Sequence, residues 1–149
     1  MADDAEGILE KHIRRVIAKS ATALQEYARE NHRFTTRTGA LERSVSKDIA
    51  PDGFSASVYL DENIAKYGPM IHMGTPPHVI LPRYKKVLRW SGGDGFVFAK
   101  HVRHPGTKPD PFLYDAIRGT DGEIQNMVKA ESEKAAQEVA DLLRKDVMK

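Results

Sequence analysis

Six histidines, His12, His32, His72, His78, His101 and His104, are the side chains best suited to chemistry in a chain that has no cysteine. A zinc site needs at least three protein ligands, usually with one close pair. His101 and His104 have a suitable spacing, but they fall where a strand is expected to end, and residues three apart on a strand face opposite sides. His72 and His78 are separated by Pro76 and Pro77, with no acid beside them. The histidines are therefore expected at the surface or in hydrogen bonds, and neither a metal nor another cofactor is expected. Asp61-Glu62 is the one acid pair that could grip magnesium for a nuclease. The next residues, Asn63-Ile64, supply no lysine, and Asp61 reads better as a cap ahead of the turn that follows.

Nucleophilic and nucleotide chemistry find no support either. There is no G-x-S-x-G elbow, no thiol and no G-x-x-x-x-G-K-[ST] loop. Ser91-Gly92-Gly93-Asp94-Gly95 is glycine-rich, but it joins two expected strands and lacks the helix N-terminus that would hold a phosphate. It reads as a five-residue hairpin tip. The chain is not expected to be an enzyme.

Charge is more informative. The net value of +2 is bland, but residues 63–109 hold eight Lys/Arg against the single acid Asp94, while residues 110–149 hold six against nine. A basic middle of this kind suits an acidic partner surface or nucleic acid. Trp90, Phe96 and Phe98 could stack on bases within it. The alternative, which is preferred, buries these aromatics in a core, because Phe96 and Phe98 share one strand face.

The elements that must position these residues are legible. Leu9, Ile13, Val16, Ser20, Leu24 and Tyr27 recur at helical spacing, which predicts a helix from Asp3 or Asp4 to Asn31, capped by those acids. "TRTGALERS" supplies a turn at Gly39 and one helical turn at Ala40–Arg43. Val45, Lys47 and Ile49 alternate against Phe54, Ala56, Val58 and Leu60 across Pro51-Asp52-Gly53, a hairpin. "VLRW" and "FVFAK" form a second. Pro105, Pro109 and Pro111 keep the next segment extended, with Asp110 capping a short helix. Ile124, Val128, Ala135, Val139, Leu142 and Val147 then mark a last helix from about Asp121. The expected fold is α+β: a small antiparallel sheet of two hairpins packed against long N- and C-terminal helices. It forms one domain, with the first helix in 1–33, sheet and loops in 34–110, and the last helices in 111–149. With 149 residues and 40% hydrophobic content the chain can bury one core. The opening "MADDAEGILEKH" has no apolar h-region, so no signal peptide is read there, and no run is apolar enough for a membrane span. The lack of cysteine fits a reducing cytosol.

Three segments, taken together, resemble a known family. "TRTGALERSV" is similar to a T-G-x-L-x-x-S motif, "YLDENIAKYGPMIHMGT" to a strand followed by a tyrosine and a terminal Gly-Thr, and "HPGTKPDPFLYDAI" to a Gly-Thr and prolines leading into Pro-Phe-Leu and a helix. These belong to the neck or minor tail-component family of long-tailed bacteriophages, related in fold class to tail-terminator and tail-completion proteins. The resemblance covers about residues 36–117. It implies a virion protein assembled in the host cytoplasm, a homo-oligomeric ring at the head–tail joint around the DNA channel. Its partners would be neighbouring neck, connector or tail-terminator proteins, with non-specific contact to packaged DNA and no membrane.

By the same resemblance, loops around 36–44, 74–86 and 91–110 would project toward neighbours, and the residues expected in subunit or partner docking are Arg37, Gly39, Leu41, Ser44, Tyr67, Gly74, Thr75, Pro77, Pro109 and Phe112. Arg83, Lys85, Lys86, Arg89, Lys100, Arg103 and Lys108 would meet either DNA or an acidic partner. Read physically, Tyr67, Ile71 and Met73 pin a helical turn to the sheet and Gly74 ends it as a left-handed cap. The segment is then a shaped corner rather than a pocket. A module that binds nucleic acid without sequence preference, through 66–108, is the other reading.

Overall fold

The computed structural model describes residues 2–93 and 95–147. The order is α1 (Ala2–Glu30), α2 (Ala40–Ser44), β1 (Val45–Ile49), β2 (Ala56–Leu60), α3 (Gly68–Met73), β3 (His78–Ile80), β4 (Leu88–Gly92), β5 (Gly95–Ala99), β6 (Val102–His104) and α4 (Phe112–Val147). The fold is α+β, with long terminal helices and small antiparallel sheets. The strands make three separate two-stranded ladders, β1–β2, β3–β6 and β4–β5.

The long helices lie antiparallel. Tyr27, near the end of α1, lies against Gly119 near the start of α4, while His12 meets Glu131 and Glu138 further along α4. The core gathers at one end of this pair. Ala28, Leu41, Val45, Ala65, Phe112 and Ala116 are buried there, with Leu24, Tyr27, Phe34, Val58, Leu60, Ile71 and Leu113 packed around them. Phe112 is fully buried, a burial that stabilises by about 1.5–3 kcal/mol. The first hairpin follows the expected alternation: Val45 pairs with Leu60, Lys47 with Val58 and Ile49 with Ala56. It is tied to α1 by the Gln25 and Arg29 side chains, which donate to the Val45 carbonyl at 2.9 and 2.8 Å.

Several expectations need correction. α1 begins at Ala2, so Asp3 and Asp4 lie inside its first turn rather than at the cap. The apolar stripe of α1 is not the face most buried near its start. Leu9 and Ile13 are 49% and 47% exposed, and His12 is buried instead, because the ion pairs to α4 set the rotation of the helix. α4 is one helix of 36 residues rather than two. Gly119 and Gly122 look like breakers, but packing on α1 carries the helix through. Thr120, buried in the same stretch, donates to the Ala116 carbonyl at 2.8 Å. Asp110 does not cap α4 with its side chain. Its carboxylate accepts from the backbone N–H groups of Arg33 (2.6 Å) and Phe34 (2.8 Å), fixing the chain that leaves α1.

Gly74 has φ 74° as expected of a glycine at a helix end, but ψ is 173°, outside the left-handed helical region. Tyr67 and Met73 are exposed, and His72, not either of them, is the buried side chain of α3 besides Ile71 packed on the core. The second hairpin is tighter than read. Gly92 pairs with Gly95, so the ladder runs further into the expected five-residue tip; Asp94 of that tip lies outside the described residues.

Candidate docking surface

Residues 75–107 form one projecting arm. At its root Thr75 and Thr107 form an antiparallel bridge. Beyond it His78 pairs with His104, Val79 with Arg103 and Ile80 with Val102, and β4–β5 completes the tip. The root is stiff because Pro76, Pro77, Pro105 and Pro109 fix φ there. Gly74 and Gly106 allow a close approach at the same level. A Cβ on Gly74 would sit 2.7 Å from the Thr107 carbonyl oxygen and 2.9 Å from the Pro109 nitrogen, and one on Gly106 would collide with the Thr75 carbonyl oxygen.

The arm's side chains point into solvent on both faces. Residues directly opposed across an antiparallel ladder share a face, so Arg89, Ser91, Phe96 and Phe98 lie on one side and Trp90 and Val97 on the other. Phe96 and Phe98 are 58% and 60% exposed, and Trp90 is 42% exposed. The preferred expectation that these aromatics are core is therefore wrong, although the shared face of Phe96 and Phe98 is correct. A two-stranded ribbon has no second layer to bury them. Tyr84 is 88% exposed. The Arg89 guanidinium lies 3.8 Å from the Phe96 ring centre, and Arg83 lies 5.7 Å from that of Tyr84. Arg83, Lys85, Lys86, Arg89, Lys100, Arg103 and Lys108 are all exposed, and among the described residues none of them forms an ion pair.

The three motif segments converge at the base of this arm. Gly39, with φ 67°, precedes α2. Leu41 and Ser44 are buried, and the Ser44 hydroxyl donates to the Leu41 carbonyl at 2.6 Å. Ile71 accepts a backbone hydrogen bond from Asp110 at 3.0 Å, which brings α3 against the start of α4. Leu41, Ser44 and Phe112 cannot present side chains to a neighbour; they frame the corner. Arg37, Tyr67, Pro77 and Pro109 are exposed around it, with Gly74 and Thr75 half-buried.

His72 is buried in this corner, edge-on to Phe112 and Tyr114 with ring centres 5.3 and 4.8 Å apart. Burial pushes its pKa down, against the pull of Asp110 and Asp115. His72 Nε2 and Asp110 Oδ1 have no hydrogen-bond partner among the described residues. His78 and His104 stack at 5.0 Å along the arm. Among the described residues, no three His, Asp or Glu come together to hold a metal ion. Asp61 caps its turn: its carboxylate accepts from the Asn63 backbone N–H at 2.9 Å.

Two features had no signal in the sequence. One is the buried Glu131, reached by His12 (2.7 Å), Arg15 (3.1 Å), Lys19 (3.1 Å) and Lys134 (3.3 Å). His12, then Lys19, hold its carboxyl far below the usual carboxylate range, despite burial. The other is an open apolar groove of about 500 Å³ between α1, the first hairpin and α4.

No family model matches the chain, and no curated protein or solved structure is significantly similar to it. No helix among the described residues is long and apolar enough to cross a membrane.

Proposed function

We propose that the chain is a structural subunit of a phage neck or tail-completion ring, acting by docking rather than by catalysis. The resemblance of three motifs suggests the family. One structural observation supports a docking role: a stiff-rooted arm exposes Trp90, Phe96, Phe98 and Tyr84 beside seven cations, and among the described residues its strands make no extensive contact with a helix. Exposed aromatics next to arginine are the composition of interface anchors. Large apolar side chains left in water by an isolated subunit mark surfaces that a partner covers. The motifs make the rigid corner from which the arm departs, so on this reading their role is positional.

The test is negative-stain imaging of lysate from a phage in which this gene is disrupted. Filled heads lying apart from finished tails are expected. Normally joined particles would remove the neck assignment.

A second reading, binding of nucleic acid without sequence preference, has one observation in its favour. Arg89 lying over Phe96 is a cation beside a stacking platform, the pairing that single-stranded binding surfaces use. Titration with short DNA at two salt concentrations tests it, since phosphate contacts weaken steeply as salt rises.

A further inference from the structure

We propose that the arm of one copy docks into the apolar groove of a second copy, by a contact that repeats head to tail. The inference rests on the ring reading above and names the contact that would build the ring. The groove is lined by Val16, Ile17 and Leu24 of α1, Phe54, and Leu113 and Ile117 of α4. No residue of 75–108 lines it, so the chain's own arm does not fill it. The proline-stiffened root and the Thr75–Thr107 bridge hold the arm in one direction, which leaves the groove to be filled in trans.

Charge identifies the occupant. Residues 75–108 carry seven Lys/Arg and one acid, so the rest of the chain is left with sixteen against twenty. Arm and body have opposite sign. Asp121, exposed one helical turn beyond Ile117, extends the groove wall on α4 with an acid. A second copy therefore offers the arm an apolar slot for its aromatics on a body of opposite net charge. DNA would satisfy the cations alone and leave the groove in water. Because arm and groove are different surfaces, the contact is heterologous, and its repetition closes a ring or runs on as a filament. A pre-stiffened arm loses little freedom on docking.

The absence of cysteine permits a direct test with the full chain. Phe98→Cys and Ile117→Cys each alter an exposed side chain, and retained helicity by circular dichroism checks folding. After mixing and mild oxidation, the mixed disulfide is expected in about tenfold excess over either homodimer, as for a contact centred on an aromatic anchor. Lys85→Glu with Lys86→Glu should reduce that excess. In sedimentation, Phe96→Asp/Phe98→Asp and Ile117→Asp should each stay monomeric, while their mixture gives a dimer and nothing larger.

Statistical cross-linking, arm-to-arm homodimers alone, or a wild-type monomer at every concentration would overturn the proposal. So would loss of DNA binding on Phe96→Asp/Phe98→Asp without any change in self-association. The two readings fail separately. Joined particles in the disruption experiment would remove the neck assignment with cross-linking intact. Unjoined heads and tails without the mixed disulfide would keep the neck and assign the arm to a different protein.

Discussion

The backbone N–H of Thr75 donates to the Thr107 carbonyl at 3.0 Å, and that of Thr107 donates back at 3.1 Å. This pair closes the arm at its root, and the Thr107 N–H also reaches the Thr75 hydroxyl at 3.0 Å. The glycines on either side let the two strands come this close. Gly106→Ala forces a Cβ into the Thr75 carbonyl at φ 90°, and should destabilise by about 1–3 kcal/mol. Gly39→Ala meets only the flexible end of Arg43, at 3.1 Å, so its cost is that of a left-handed residue alone, about 1–2 kcal/mol. Gly122→Ala, in open space on α4, should stabilise by about 0.5–1 kcal/mol. Urea denaturation of the three variants checks both sign and order. A stabilised Gly106→Ala would sink this account of the root.

The arm aromatics and the core phenylalanine should respond in opposite ways. Phe96→Ser and Phe98→Ser remove side chains that pack on no second layer, so stability should move by no more than about 0.5 kcal/mol. Phe112→Ala empties the centre of the core and should cost about 3–5 kcal/mol. Thermal melts at concentrations where the chain is monomeric decide this, since association itself raises the melting point. A loss at Phe98 as large as that at Phe112 would mean that the arm folds back on the body.

What the sequence revealed and what it hid follow from how local each signal is. The β1–β2 hairpin was legible because Val45, Lys47 and Ile49 alternate against Ala56, Val58 and Leu60 across a strong turn, all within sixteen residues. α1 was legible from its spacing, but its rotation was not. The residue that sets it, His12, pairs with Glu131, 119 positions away, and no periodicity reports such a pair. The exposure of Phe96 and Phe98 is not legible, because alternation identifies a face without saying whether anything covers it. The continuity of α4 is hidden for a related reason: no local pattern places the Tyr27 ring against Gly119. The corner was readable as a corner from its glycines and prolines, although the buried member of α3 proved to be His72.

That histidine should make the corner sensitive to mild acid. Burial lowers its pKa from the ordinary 6.5, while Asp110 and Asp115, the carboxylates facing it, oppose the shift. A histidine whose folded pKa is depressed contributes stability above 6.5 that is lost as pH falls toward the folded value. The imidazole midpoint by NMR should therefore lie below 6.5. His72→Phe, which keeps a ring against Phe112 and Tyr114, should flatten the stability profile in that window. A midpoint above 6.5 would show that Asp110 and Asp115 outweigh burial.

Glu131 should govern a second, more acidic window. Its carboxyl is held far below the ordinary 4.5, first by the hydrogen bond with His12 and then by Lys19, with Arg15 and Lys134 adding to the pull. The ionised form is thus favoured in the folded chain, so its contribution is complete above about 4.5 and falls away as pH drops below that value. Glu131→Gln keeps the shape, removes the charge, and leaves His12, Arg15 and Lys19 facing a neutral group. The variant should be less stable than the wild type at pH 7, with the gap narrowing as pH falls below 4.5. His12→Ala should cost less in the Glu131→Gln background than alone, because its contact with Glu131 is then already weakened and its contact with Glu138 is what remains to be lost. Denaturant midpoints of the four chains between pH 3 and 7 test this. Full additivity at pH 7 would mean that the His12–Glu131 contact does not hold α1 against α4.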